Sequence, residues 1–155
     1  MICYYSSGSK MIEQNFLNGL EHGIKIEWNE KGNIIAEHNF KYGQYFGKQT
    51  TYYETGQIMS EQFYKFDRED STFTEYFPNG KIESLGKYKF TDQDLSLIQQ
   101  FKTDTITIKD SDEVVTGIKI RTDESYKPKN GVWKYWDEKG NLVKEELYKD
   151  GQLVK

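Results

Sequence analysis

Two histidines, one cysteine and a recurring glutamate are the residues of this 155-residue chain that invite a chemical reading. His22 and His38 are too few and too poorly spaced for a His-rich metal site. Cys3 with His38 would make a nucleophile and base, but neither lies in a local signature of such a pair. Glu13, Glu37, Glu61 and Glu145 suggest paired carboxylates. Glycosidase chemistry needs two carboxyls flanking a pocket, one of them in surroundings that raise its pKa. These four recur at one strand position, which predicts a solvated ladder offset by lysines such as Lys41 and Lys149. Asp110, Asp112 and Glu113 resemble a fragment of a calcium loop but lack its glycine and its distal glutamate. The glycines lack the Lys-Ser/Thr of a phosphate loop. No catalytic, cofactor-binding or metal-ligating residue is assigned, and the chain is read as a non-enzyme with no cofactor.

What positions these residues is a repeat. Gly8, Gly32, Gly56, Gly80 and Gly140 each follow an aromatic by four positions (Tyr4, Trp28, Tyr52, Tyr76, Trp136) and precede another by eight (Phe16, Phe40, Tyr64, Tyr88, Tyr148). The first three steps are 24 residues. Further glycine columns hold Gly19, Gly43 and Gly151, and Gly23, Gly47 and Gly131. Pro78-Asn79-Gly80 is the clearest turn: Pro78 presets φ, and Gly80 takes the left-handed conformation of a bulged hairpin. Strands are predicted from Gly23 to Asn29 and from Asn33 to Tyr42. Alternation puts Ile24, Ile26 and Trp28 on one face going in, and Ile34, Ala36, His38, Phe40 and Tyr42 on one face coming out, with Lys25, Glu27, Glu37 and Lys41 opposite. The expected fold is all-β: an elongated antiparallel β-hairpin meander of 24-residue period, residues 1–155 forming one domain.

From Gly80 to Gly140 is 60 residues, 36 more than one period, so an insertion is expected at about 90–129. Thr91 as N-cap and Leu95, Leu97, Ile98 and Phe101 as an apolar side predict a short helix over 91–102, packed across one sheet face. Thr103 to Ile108 and Val114 to Arg121 read as a degenerate hairpin that keeps the sheet continuous, and Tyr126 to Asn130 as the connector back. In the third unit Asp67 and Ser71 replace glycines, and Asp67-Arg68-Glu69-Asp70 reads as a solvated loop.

The 21 basic residues against 25 acidic give a net charge of −4, which favours neither a nucleic-acid backbone nor an acidic membrane and suits a basic protein partner. A single cysteine excludes an internal disulfide, and no leader or long apolar run is visible, so the expected location is the cytoplasm. Oligomeric state is open. Tyr53, Phe73, Phe77, Trp133 and Tyr135 place extra aromatics where other units carry Lys25, Glu27 and Glu75. They are read as the candidate partner-binding surface, on the face opposite the repeat rings.

The stretch from Asn130-Gly131-Val132-Trp133-Lys134-Tyr135-Trp136 through Asp137-Glu138-Lys139-Gly140-Asn141 to Tyr148-Lys149-Asp150-Gly151 resembles the bacterial variant of the MORN repeat. Residues 23–43 and 47–66 are similar. This is the pattern of the YwqK family of putative antitoxins. The resemblance implies a hairpin meander that neutralises, by direct binding, a toxin encoded beside it. A structural scaffold without a toxin is the alternative, and a carbohydrate-binding protein stacking sugars on aromatics is a distant third.

Overall fold

The computed structural model describes residues 1–65, 69–89, 104–110, 113–119 and 129–154; for 65, 69–71, 104–110 and 113–119 it describes the backbone alone. The strands are β1 (Ile2–Tyr4), β2 (Lys10–Leu17), β3 (Leu20–Trp28), β4 (Ile34–Lys41), β5 (Gln44–Tyr52), β6 (Ile58–Lys65) and β7 (Glu69–Tyr76), followed by β8 (Ile82–Tyr88), β9 (Asp104–Asp110), β10 (Glu113–Lys119), β11 (Lys129–Trp136), β12 (Leu142–Lys149) and β13 (Gln152–Leu153). Eleven of them form one antiparallel sheet in chain order, except that β8 pairs directly with β11. There is no helix among the described residues.

Both kinds of turn follow from glycine geometry. On one edge of the sheet, Gly32 N–H donates to Asn29 O and Asn29 N–H donates to Asn33 O, each at 2.9 Å, and Gly80 and Gly140 repeat the arrangement. With Gly32 at φ +84°, this is the expected bulged hairpin turn. On the other edge, two consecutive residues take positive φ: Asn18-Gly19 (51° and 80°), Tyr42-Gly43 (54° and 79°) and Asp150-Gly151 (51° and 82°). That pairing marks tight two-residue turns whose twist matches the flanking strands. Tyr42 holds its conformation against a steric cost of about 1–2 kcal/mol. The third glycine column is different again: Gly23, Gly47 and Gly131, at φ 81°, 86° and 73°, sit inside strands where the register with the preceding hairpin slips.

The slips and turn bulges overturn the expected faces. Ile26 lies opposite Glu37 and Ile24 opposite Asn39, whereas Lys25 faces His38 and Glu27 faces Ala36. The apolar residues of the incoming strand therefore lie on the opposite face from Ala36, His38 and Phe40. Counting alternation separately in each strand misses the extra residue, Ile35, between the partners of Glu27 and Trp28, and a one-residue offset moves every side chain to the other face. The two aromatic columns separate accordingly. Phe40, Tyr64, Tyr88 and Tyr148 lie on what we term the front face, with Ala36. Tyr52 and Tyr76 lie on the back with the glutamates, where the Tyr76 hydroxyl donates to Glu61 Oε2 at 3.1 Å.

Row upon row of front-face residues crosses the sheet. One runs Cys3, Ile12, Glu27, Ala36, Thr51, Ser60, Glu75, Ser84, Tyr135, Lys144, each opposite the next. Among the described residues only four hydrophobic side chains are buried: Ala36, Phe40, Tyr88 and Trp133. Stability accumulates from cross-strand pairs of about 0.2–1 kcal/mol each and from stacking of neighbouring units.

The insertion behaves differently from expectation in one respect. β9 and β10 form a hairpin with Asp110 opposite Glu113, but it is a separate two-stranded sheet. The main sheet stays continuous because β8 and β11 meet at the usual junction, with Ser84 opposite Tyr135. Lys129 and Asn130, read as connector, already belong to β11, and Glu69 and Asp70, read as loop, begin β7. The predicted helix at 91–102 lies outside the described residues.

Candidate functional site

Each junction between hairpins has a register slip that interrupts the backbone ladder, and at two of them a buried side chain fills the gap. At β4/β5 the filler is Gln49, 3% exposed. Its Oε1 accepts the Asn39 N–H at 2.9 Å, and its Nε2 donates to Asn39 O at 3.0 Å and to Gly47 O at 3.2 Å. A carboxamide thus stands in for the missing peptide. At β8/β11 the equivalent position is Trp133, 2% exposed, whose Nε1 donates to Lys87 O at 3.2 Å. Lys87 stands seven residues after its turn glycine, as Asn39 does.

Trp133 fits because of Gly86. A Cβ there would lie 2.1 Å from Trp133 Cδ2. His38, Gln62 and Glu146 occupy the matching position in other units, so the glycine is particular to this junction. Around the indole stand Phe73 (ring centroids 5.7 Å), Tyr88 (5.0 Å) and Tyr135 (6.4 Å). Lys129 Nζ lies 4.2 Å from the Trp133 ring centre, 5.0 Å from that of Tyr148, and donates to the Tyr135 hydroxyl at 2.9 Å. Cation–π attraction of this kind contributes about 0.5–2 kcal/mol, depending on solvation. Glu146 accepts from the Tyr148 hydroxyl at 3.1 Å and pairs with Lys144 at 2.6 Å.

Of the five residues read as a binding surface, the structure brings three together: Phe73, Trp133 and Tyr135. They share the front face with the repeat rings Tyr88 and Tyr148 instead of lying opposite them, for the parity reason given above. Trp133 is the buried centre of the cluster, and Phe73 and Tyr135 are half-buried around it. Tyr53 and Phe77 stand apart in turns on the bulged edge. There the Tyr53 hydroxyl donates to Tyr76 O at 2.7 Å, as Tyr5 does to Trp28 O, clamping successive units. Lys129 and Glu146 were missed; Lys129 aligns with Tyr45, another residue seated among front-face rings, which was the available signal.

Burial, then the Glu146 hydrogen bond, pushes the Tyr135 phenol up, and burial does the same for Tyr148. The Lys144 hydrogen bond holds Glu146 below the ordinary carboxylate range. The other sequence candidates also resolve into structure. His38 Nδ1 lies 3.2 Å from Gln49 Oε1, and burial lowers its pKa. His22, in β3, packs its ring against Tyr42 at a tilt of 59° with centroids 5.2 Å apart, its Nδ1 buried and without a hydrogen-bond partner. Cys3 and His38 are three strands apart, about 14 Å at ordinary strand spacing. Glu13 pairs with Lys10 at 2.8 Å, Glu61 with Lys48, and Glu145 with Lys134 at 3.4 Å, so three of the four glutamates of the ladder are offset by contacting lysines. Among the described residues no three of His, Cys, Asp and Glu gather as a metal-binding group, and no helix is long and apolar enough to cross a membrane.

A search of curated proteins finds no match. The MORN repeat variant matches at residues 21–42, 47–66, 69–90 and 129–150, more than half of the chain. The structure adds β1, β2 and the turn at Gly8 as a further unit of the same geometry outside those matches. MORN repeats are typically non-catalytic binding modules, and this chain belongs to the MORN repeat variant family.

Proposed function

We propose that the chain is a protein-binding module whose contact surface is the front-face cluster around Trp133, and that it acts as an antitoxin or immunity protein, neutralising a toxin by direct binding. The observation that carries this reading is the cluster itself. Half-buried Phe73, Tyr135 and Tyr148 surround a rigid indole, with Lys129 and Glu146 interleaved. Rigid aromatics edged by charge are the composition of binding hot spots. A net charge of −4 favours encounter with a basic partner, such as a nuclease-like toxin. The likeness to the YwqK pattern supports the antitoxin role in particular.

Co-expression tests it. A toxic product of an adjacent gene should be neutralised by this chain and not by its Tyr135→Ala, Phe73→Ala double variant, with both proteins folded. Failure to rescue from any adjacent gene product counts against the antitoxin role. The second reading, a scaffold module for protein assembly, is favoured by the outer strands of the sheet, whose outer edges pair with no full strand among the described residues, and pull-down of assembly proteins without any toxicity phenotype would support it.

A further inference from the structure

The sheet carries its own template for growth. All four junctions between hairpins have one register: the residue four after a turn glycine lies opposite the residue five before the next, as Ile12 does Glu27 and Ser84 does Tyr135. The β8/β11 junction keeps it even though 40 residues of sequence separate the two strands. The register therefore resides in the strand edges and does not need a tight connection, which is the condition for two separate chains to reproduce it.

At one end of the sheet, β13 pairs with Tyr148 and Lys149 and the Val154 N–H donates to Leu147 O, so that among the described residues no strand pairs with the outer side of β12 from Leu142 to Glu146. At the other end, β1 pairs with β2 on its inner side, and among the described residues no strand pairs with its outer side. By position in the repeat, β13 matches the start of β5 and β1 matches its end. A β13 from one copy and a β1 from another together supply most of one incoming strand, laid end to end along β12. Exposed apolar side chains are placed at these same two ends: Ile2 is 46% exposed, and Leu142 and Val143 are 50% and 61% exposed.

We propose that a second copy of this chain docks head to tail, its β1 adding to the open edge of β12 with Cys3 opposite Lys144 and Ile2 opposite Glu145. Main-chain hydrogen bonds supply the adhesion, as in strand addition generally. The two surfaces are different, so the contact does not close on itself and dimers extend to longer arrays as concentration rises.

The single cysteine makes this testable. Lys144→Cys, oxidised mildly at high protein concentration, is expected to give a ladder of covalent oligomers on a non-reducing gel, with Cys3 joined to the new thiol between chains by peptide mapping. Opposed residues of an antiparallel pair lie within disulfide reach. Cys3→Lys sets two lysines opposite each other and is expected to weaken the association seen by light scattering several-fold; Cys3→Lys with Lys144→Glu is expected to restore it. A monomer at every concentration would overturn the proposal, as would Lys144→Cys chains linked only through their own new thiols in a Cys3→Ser background, which would indicate β12 pairing with itself.

Discussion

The β4/β5 and β8/β11 junctions place the same backbone gap under two unlike fillers. At the first, Gln49 bonds Asn39 through both ends of its carboxamide, beside His38. At the second, Trp133 makes one hydrogen bond to Lys87 O and fills the remaining space with ring, lying over Gly86. The repeat thus fixes the slip in the strands and leaves the filler free. In the N-terminal half the filler is an amide set beside the rings Phe40, Tyr45 and Tyr64, and in the C-terminal half the filler is itself a ring that joins Phe73, Tyr88 and Tyr135.

Removing the larger filler should matter most. Trp133→Ala is expected to cost about 3–5 kcal/mol, read by chemical denaturation, because it empties a fully buried site and leaves Lys87 O unbonded. A loss under 1 kcal/mol would mean that the indole is not the support of this junction. Gly86→Ala forces a methyl into the indole and should destabilise by about 1–3 kcal/mol; combined with Trp133→Ala, most of that added cost should vanish, a coupling that a double-mutant cycle measures. Gln49→Leu keeps the volume but leaves the N–H and C=O of Asn39 unpaired, at about 1–3 kcal/mol. Gln49→Glu should be tolerated less well than Trp133→Phe if the polar junction depends on its donor.

The smallest effect concerns pH. His38 has its pKa lowered by burial, so the folded state favours the neutral ring. Its contribution is complete above the unfolded value near 6.5 and is lost as pH falls through the lower folded value. His38→Gln should flatten that acid-side slope.

Much of this was legible in the sequence, for reasons that particular residues show. Pro78-Asn79-Gly80 and the 24-residue glycine column specify turns through local backbone sterics, and those turns are where they should be. The faces were not legible, because the parity relating Ile26 to Ala36 depends on a bulge whose extra residue leaves no mark in the alternation of either strand. Trp133 read as surface for the same reason: its burial depends on Gly86, 47 positions earlier, and on a β8/β11 pairing that skips the insertion. Hydrogen-bond fillers such as Gln49 carry no sequence signature beyond polarity.

The central claim is that the units stack at a constant 24-residue pitch and that the insertion is outside that stack. Replacing residues 90–128 with Asn-Gly-Gln restores a 24-residue step from Gly80 to Gly140 and offers a two-residue turn between β8 and β11. Circular dichroism through a thermal melt should show a cooperative transition within a few degrees of the parent, with the near-ultraviolet signal of the buried indole kept. An unfolded product, or a folded one in which that signal is lost, would contradict the account.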